Sequence, residues 1–180
     1  MNDRPAAAMR DSGVTAVSAP EGRGTLDPVA LVELIFFAYR DFIGEPDRVL
    51  ERYGFGRAHH RVLHFVNRNP GLTVAELLSI LDITKQSLGR VLRDLVAGGF
   101  IVQKAGQQDR RQRLMYLSAT GTALAEELLG LQTRRMGRAL ERLSEAEVAA
   151  VTGFLGGLID ADQRSEVARL TRLTLDQRRR

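Results

Sequence analysis

The chain contains no cysteine. That excludes disulfide bonds, thiolate-ligated metals and any cysteine redox switch. No run of about 18 apolar residues occurs, so no membrane span is expected. The first residues lack the apolar core, roughly 7–15 residues long, of a secretory signal, and the cytoplasm is the expected location. Nothing reads as a glycine-rich phosphate loop, a nucleophile elbow or a pair of carboxylates placed by an obvious motif. Neither an enzyme nor a resident cofactor or metal centre is expected.

What is present is a 180-residue chain, 44% apolar and 27% charged, enough for one compact soluble domain with a sizeable core. The net charge of +4 permits an anionic partner without requiring one. Its distribution is more telling. Between residues 84 and 116 the basic residues are Lys85, Arg90, Arg93, Lys104, Arg110, Arg111 and Arg113, opposed only by Asp94 and Asp109. That span carries +5, more than the whole chain, so the basicity is a local patch over an otherwise near-neutral protein.

Residues 1–26 are rich in Ala, Gly, Ser and Pro and show no period, which predicts a disordered arm. Asp27-Pro28 reads as an N-cap and first helical position. The helix that follows, VALVELIFFAYRDFI, is apolar on more sides than one domain needs, and Gly44 and Pro46 are expected to end it. A second helix is predicted over Arg57–Asn67, then a turn at Asn69-Pro70-Gly71. Thr73-Val-Ala-Glu76 is a capping box that opens a short third helix. Asp82-Ile83 turns the chain and Thr84 caps a fourth, giving a helix-turn-helix. After a predicted hairpin, Ser118 caps a fifth helix reaching about Leu143, and the capping box Ser144–Glu147 opens a sixth running to about Ala161.

The fourth helix has two faces. Stepping about 100° per residue from Leu88, the side chains of Val91, Leu92 and Leu95 fall within about 60° of it and form a core face. Gln86, Gly89, Arg90 and Arg93 fall on the opposite side. Arginine bonds guanine edges or phosphates, and glutamine bonds adenine edges. Gly89 costs about 1 kcal/mol in a helix interior relative to alanine. Close approach to DNA explains that cost, as does a packing role within the protein. Thr84, Lys85 and Ser87 sit at the helix start, where backbone N–H groups favour phosphate.

Gly98-Gly99 stop that helix. Strands are predicted over Phe100–Lys104 and Arg113–Leu117, joined by a tip containing Gly106, Gln107, Asp109, Arg110 and Arg111. The tip is longer than an ordinary hairpin needs and carries arginines, which suit the negative potential of a narrow minor groove. Asp109 is placed to pair with a tip arginine and aim it. The candidate DNA contacts are thus Thr73, Thr84, Lys85, Gln86, Ser87, Gly89, Arg90 and Arg93 on the helices, and Gln107, Asp109, Arg110, Arg111 and Arg113 on the wing.

Asp109-x-Arg111, followed by Leu117-Ser118 opening a helix, resembles the wing signature of the MarR family of bacterial transcription regulators. That signature ends Leu-Thr; Ser118 departs from it but still caps a helix. The helix order is also similar over about residues 28–162. More narrowly, YGFGRAHHRVLHFV and ITKQSLGRVL resemble the PetP-like subgroup. The resemblance implies a mainly α fold with a small β-hairpin: a winged helix-turn-helix plus dimerisation helices. It implies a domain over 27–163, with a DNA-binding lobe at about 55–118 and dimerisation helices at about 28–44 and 119–162, then a basic segment over 164–180. It further implies a homodimer on double-stranded DNA, with recognition helices about 34–36 Å apart in successive major grooves of a pseudo-palindromic operator. A small-molecule effector pocket between the dimer helices and the DNA-binding lobe is implied too. The absence of cysteine excludes the peroxide sensing that some members use.

All three histidines, His59, His60 and His64, lie within a turn and a half. His60 and His64 are i, i+4 and share a helix face. That spacing serves packing beside the pocket, effector contact, or metal or haem ligation, and these histidines can also respond to pH. Tyr39 and Arg40 are placed either to line the same pocket or to pack at the dimer interface. Two other readings stay open: a winged-helix module for protein contact, and a haem- or metal-responsive sensor using His60 and His64.

Overall fold

The computed structural model describes residues 27–107 and 109–173. The arm expected over 1–26, and residues 174–180 of the expected basic segment, lie outside the described residues. The described residues divide into two units, one up to Ala38 and one from Tyr39 onward.

Helix α1 spans Pro28–Glu51. The Asp27 carboxylate accepts the Val29 N–H at 2.9 Å, as an N-cap ahead of Pro28 should. In the first unit Val29, Val32, Leu34, Ile35, Phe36 and Phe37 are all exposed. The stop expected at Gly44 and Pro46 does not occur; the helix runs through both. An internal proline forfeits a backbone hydrogen bond, at about 3 kcal/mol. Ile43 and Leu50 are buried on the same turns, and burial of two such side chains, at about 1.5–3 kcal/mol each, offsets that loss.

The second unit continues with α2 (Arg57–Arg68), β1 (Leu72–Thr73), α3 (Val74–Leu81), α4 (Lys85–Ala97), β2 (Ile101–Ala105), β3 (Arg113–Leu117), α5 (Ala119–Leu140), α6 (Glu145–Gly157) and α7 (Arg164–Thr171). Its core is built from one face of each early helix. Val62, Leu63 and Val66 of α2, Leu77 and Leu81 of α3, Leu88 and Leu95 of α4 and Leu128 of α5 are almost wholly buried. These positions recur at helical spacing, so each helix presents one apolar stripe to its neighbours.

The sheet is antiparallel, in the order β1-β3-β2. Ile101 pairs with Leu117 and Ala105 with Arg113, while Leu72 pairs with Met115. The expected hairpin therefore gains a third strand, a two-residue segment too short to show a period. Met115 is the buried centre of the sheet, whereas β2 is exposed beyond Ile101. The wing thus stands off the core from a fixed root. That root is tight: Ser118 donates to the Gly99 carbonyl at 2.6 Å and caps α5 by accepting from Gly121 at 3.0 Å. A Cβ on Gly121 would run into the Phe100 carbonyl, so only glycine lets α5 start here.

Three boundaries depart from expectation. Helix α5 stops at Leu140, and α6 at Gly157 rather than about Ala161, where the Gly156-Gly157 pair weakens helix propensity. The segment expected to be merely basic contains α7, held by buried Leu170 and by an Arg169–Glu166 ion pair at 2.6 Å.

Candidate nucleic-acid interface

The helix-turn-helix is fastened by local hydrogen bonds. Glu76 accepts both the Thr73 N–H and its hydroxyl at 2.8 Å, and Thr73 accepts the Glu76 N–H at 3.2 Å. Asp82 takes the left-handed conformation, φ 48°, that ends α3 and reverses the chain. Thr84 then caps α4 by accepting the Ser87 N–H at 3.1 Å, and its hydroxyl donates to Ser87 Oγ at 2.9 Å. Thr73 is a helix cap whose hydroxyl proton is already engaged, so it has no side-chain donor left for phosphate. Thr84 is similarly engaged but leaves the Ser87 hydroxyl proton free, at the helix end where anions are favoured.

Helix α4 has the two faces its spacing predicts. Leu88, Val91, Leu92 and Leu95 are buried. Lys85, Gln86, Ser87, Gly89, Arg90 and Arg93 are exposed. Lys85, Arg90 and Arg93 make no ion pair among the described residues. A Cβ built on Gly89 meets nothing within 4 Å. The glycine is therefore not required by packing among the described residues.

The wing tip behaves differently from expectation. The Asp109 carboxylate accepts the Arg111 backbone N–H at 2.8 Å and makes no ion pair among the described residues. It fixes the path of the tip, not the direction of a guanidinium. Backbone bonds from Gly106 to the Gln112 carbonyl and from Gln112 to the Asp109 carbonyl, both 3.1 Å, close the loop. Arg113 folds back to the Arg110 carbonyl at 3.4 Å. Gln107, Arg110 and Arg111 are exposed, and the two arginines have no side-chain partner among the described residues. Lys104 lies 4.8 Å over the Tyr116 ring, along the same wing.

A second feature lies away from this surface. Tyr39, Phe42, Ile43, Arg57, His60, Arg61, His64, Phe65 and Gln132 line a cavity of about 430 Å³. Of the residues expected to share a pocket, Tyr39, His60 and His64 meet there, while Arg40 is not part of the lining. Burial pushes the His60 and His64 imidazoles below the ordinary histidine value. For His60 the neighbouring His64 adds to the shift, while Asp47 and the Gln132 amide oppose it. Arg57 pairs with Asp47 at 3.2 Å and lies 5.9 Å over the Tyr39 ring. Among the described residues no group of three or more His, Asp or Glu side chains is placed to hold a metal ion.

Sequence reasoning missed Phe42, Ile43, Arg57, Arg61, Phe65 and Gln132. Arg57, His60, Arg61 and His64 form an i, i+3, i+4, i+7 stripe on α2 that does point to the arginines. No local pattern places Gln132, which comes from α5.

A model of the MarR family matches residues 53–112. The HTH-type transcriptional regulator PetP of Rhodobacter capsulatus is 44% identical over 133 residues, covering 74% of this chain and 80% of that protein. The structure of Streptococcus pneumoniae FabT in complex with DNA is similar at a TM-score of 0.64 and 18% identity, over 73% of this chain and 94% of the other. NadR in complex with 4-hydroxyphenylacetate is similar at 0.60 and 19%, over 78% and 97%. At that identity the structural likeness speaks for the fold alone.

Proposed function

The chain belongs to the MarR family, and from that premise we propose that it is a cytoplasmic homodimeric regulator that binds a pseudo-palindromic operator. The carrying observation is the unpartnered basic face of α4 beside an arginine-bearing wing tip. Gln86, Arg90 and Arg93 enter the major groove and read base edges, and Gly89 lets the helix lie close. Lys85 and Ser87 meet phosphate at the helix start. Arg111, with Arg110 and Gln107 beside it, reaches the minor groove from a tip shaped by Asp109. The dimer reading is supported by uncovered apolar side chains: Val151, Phe154 and Leu155 of α6 and Leu158 just after it are exposed, and no residue of that helix is buried.

The cavity beside α2 serves a small-molecule effector. Its aromatic walls and the Arg61 guanidinium, which makes no ion pair among the described residues, fit a planar aromatic anion. The molecule in complex with NadR, 4-hydroxyphenylacetate, has that chemistry.

Selection of bound fragments from the source genome, followed by gel shift, tests the function. The expected result is a set of fragments sharing an inverted repeat, bound with an affinity that falls steeply with salt. Salt-insensitive binding, or none selective for sequence, overturns the reading and favours a module for protein contact.

A further inference from the structure

His59 belongs neither to the cavity nor to the exposed face of α4, yet it is fully engaged. It stands in the first turn of α2, where its Nδ1 accepts the Gly56 N–H at 3.1 Å. An imidazole that accepts at Nδ1 carries its proton on Nε2. That Nε2–H donates to Asp94 Oδ2 at 3.3 Å. The ring plane is set as well: it stacks on Phe55 at 4.7 Å and 8°, and Phe55 meets Phe100 edge-on at 5.1 Å.

Asp94 is the only acidic residue of α4. It lies four residues after Arg90, the spacing at which an acid and a base on one helix form an ion pair. That pair is absent; the carboxylate is held by His59, and Arg90 has no partner among the described residues.

We propose that His59 is a positioning residue for DNA recognition: it holds the Asp94 carboxylate away from Arg90 and so keeps that guanidinium available. The inference rests on the DNA-binding reading above. Without the imidazole, Asp94 turns to Arg90. Binding must then break an ion pair before Arg90 reaches DNA. Phenylalanine at 59 keeps the stack on Phe55 but removes the donor, so it isolates this role.

The test uses the full chain and a labelled duplex of the highest-affinity sequence from the genomic selection, with affinity read by fluorescence anisotropy. His59→Phe should weaken binding about two- to fivefold at low salt, the range of one exposed ion pair, with the loss shrinking as salt rises. Adding Asp94→Asn should restore wild-type affinity. In an Arg90→Ala background, His59→Phe should change nothing. A loss that persists with Asp94→Asn or Arg90→Ala means general damage to the helix and overturns the proposal. Wild-type affinity in His59→Phe also overturns it, leaving the DNA-binding reading intact. A wild-type chain that selects no duplex removes that reading instead. Should His59→Phe fail to fold by circular dichroism, Asp94→Asn alone decides: affinity at or above wild type supports the proposal, and weaker binding overturns it.

Discussion

Helices α4 and α6 are each 13 residues long and have opposite relations to the rest of the chain. Helix α4 buries four aliphatic side chains and turns an unpartnered basic face outward. Helix α6 buries none and leaves Val151, Phe154 and Leu155 exposed. The first is completed by its own domain, so its outward face is free to be polar and to read a partner. The second is apolar without a covering surface, a state that soluble chains rarely tolerate alone. The proposed recognition surface thus lies on the first helix, and the proposed contact with a second copy on the other.

The largest expected effect separates these two conditions directly. Leu95→Ala on α4 opens a cavity at a fully buried site and should cost about 2–5 kcal/mol in chemical denaturation. Leu155→Asp on α6 removes an exposed side chain. If the proposed dimer packs through this face, the variant should sediment as a monomer with its fold intact. Equal loss of folding in both variants would break the contrast.

Arginine replacement sharpens the α4 side. Arg93→Ala should cost about 1–3 kcal/mol and relax preference at particular base pairs, read by affinity across single-site operator variants. Arg111→Ala should instead lose affinity mainly for operators with A·T-rich flanks, because the minor groove is read by shape.

Gly89→Ala is smaller and splits stability from function. With open space around the added methyl, the folded state should gain up to about 1 kcal/mol in thermal denaturation. Operator affinity should fall. Unchanged affinity would remove close approach as the reason for this glycine.

The smallest effect touches neither helix. Burial holds His60 and His64 below the ordinary histidine value, so the native state prefers them neutral. As pH falls below 6.5 the unfolded chain takes up protons first. Stability from these groups is present above that value and is lost as pH falls toward the lower native one. Urea titrations at about pH 7 and about pH 5.5 should show the decline, and a His60→Gln, His64→Gln chain should lack most of it.

Much of the fold was legible because its signals are local. The caps at Thr73, Thr84, Ser118 and Ser144 are where short-range spacing puts them, each accepting the backbone N–H three residues on. The two faces of α4 follow from helical period alone. What was misread depended on distant partners. Pro46 continues α1 because the surrounding turns are buried, and β1 exists because Met115 and Leu114 lie opposite it. Asp109 was expected to aim a guanidinium, yet the nearer backbone N–H of Arg111 takes its carboxylate.

The sequence by itself determined a helix-turn-helix with a basic wing, the location of its positive charge, and its freedom from cysteine chemistry. These follow from periods, caps and composition, which act over a few residues. Only the tertiary structure decided that Tyr39, Arg61, His64 and Gln132 enclose one cavity and that His59 takes Asp94 before Arg90 can. Those outcomes join residues from different helices, and packing alone sets which side chain comes within reach of which.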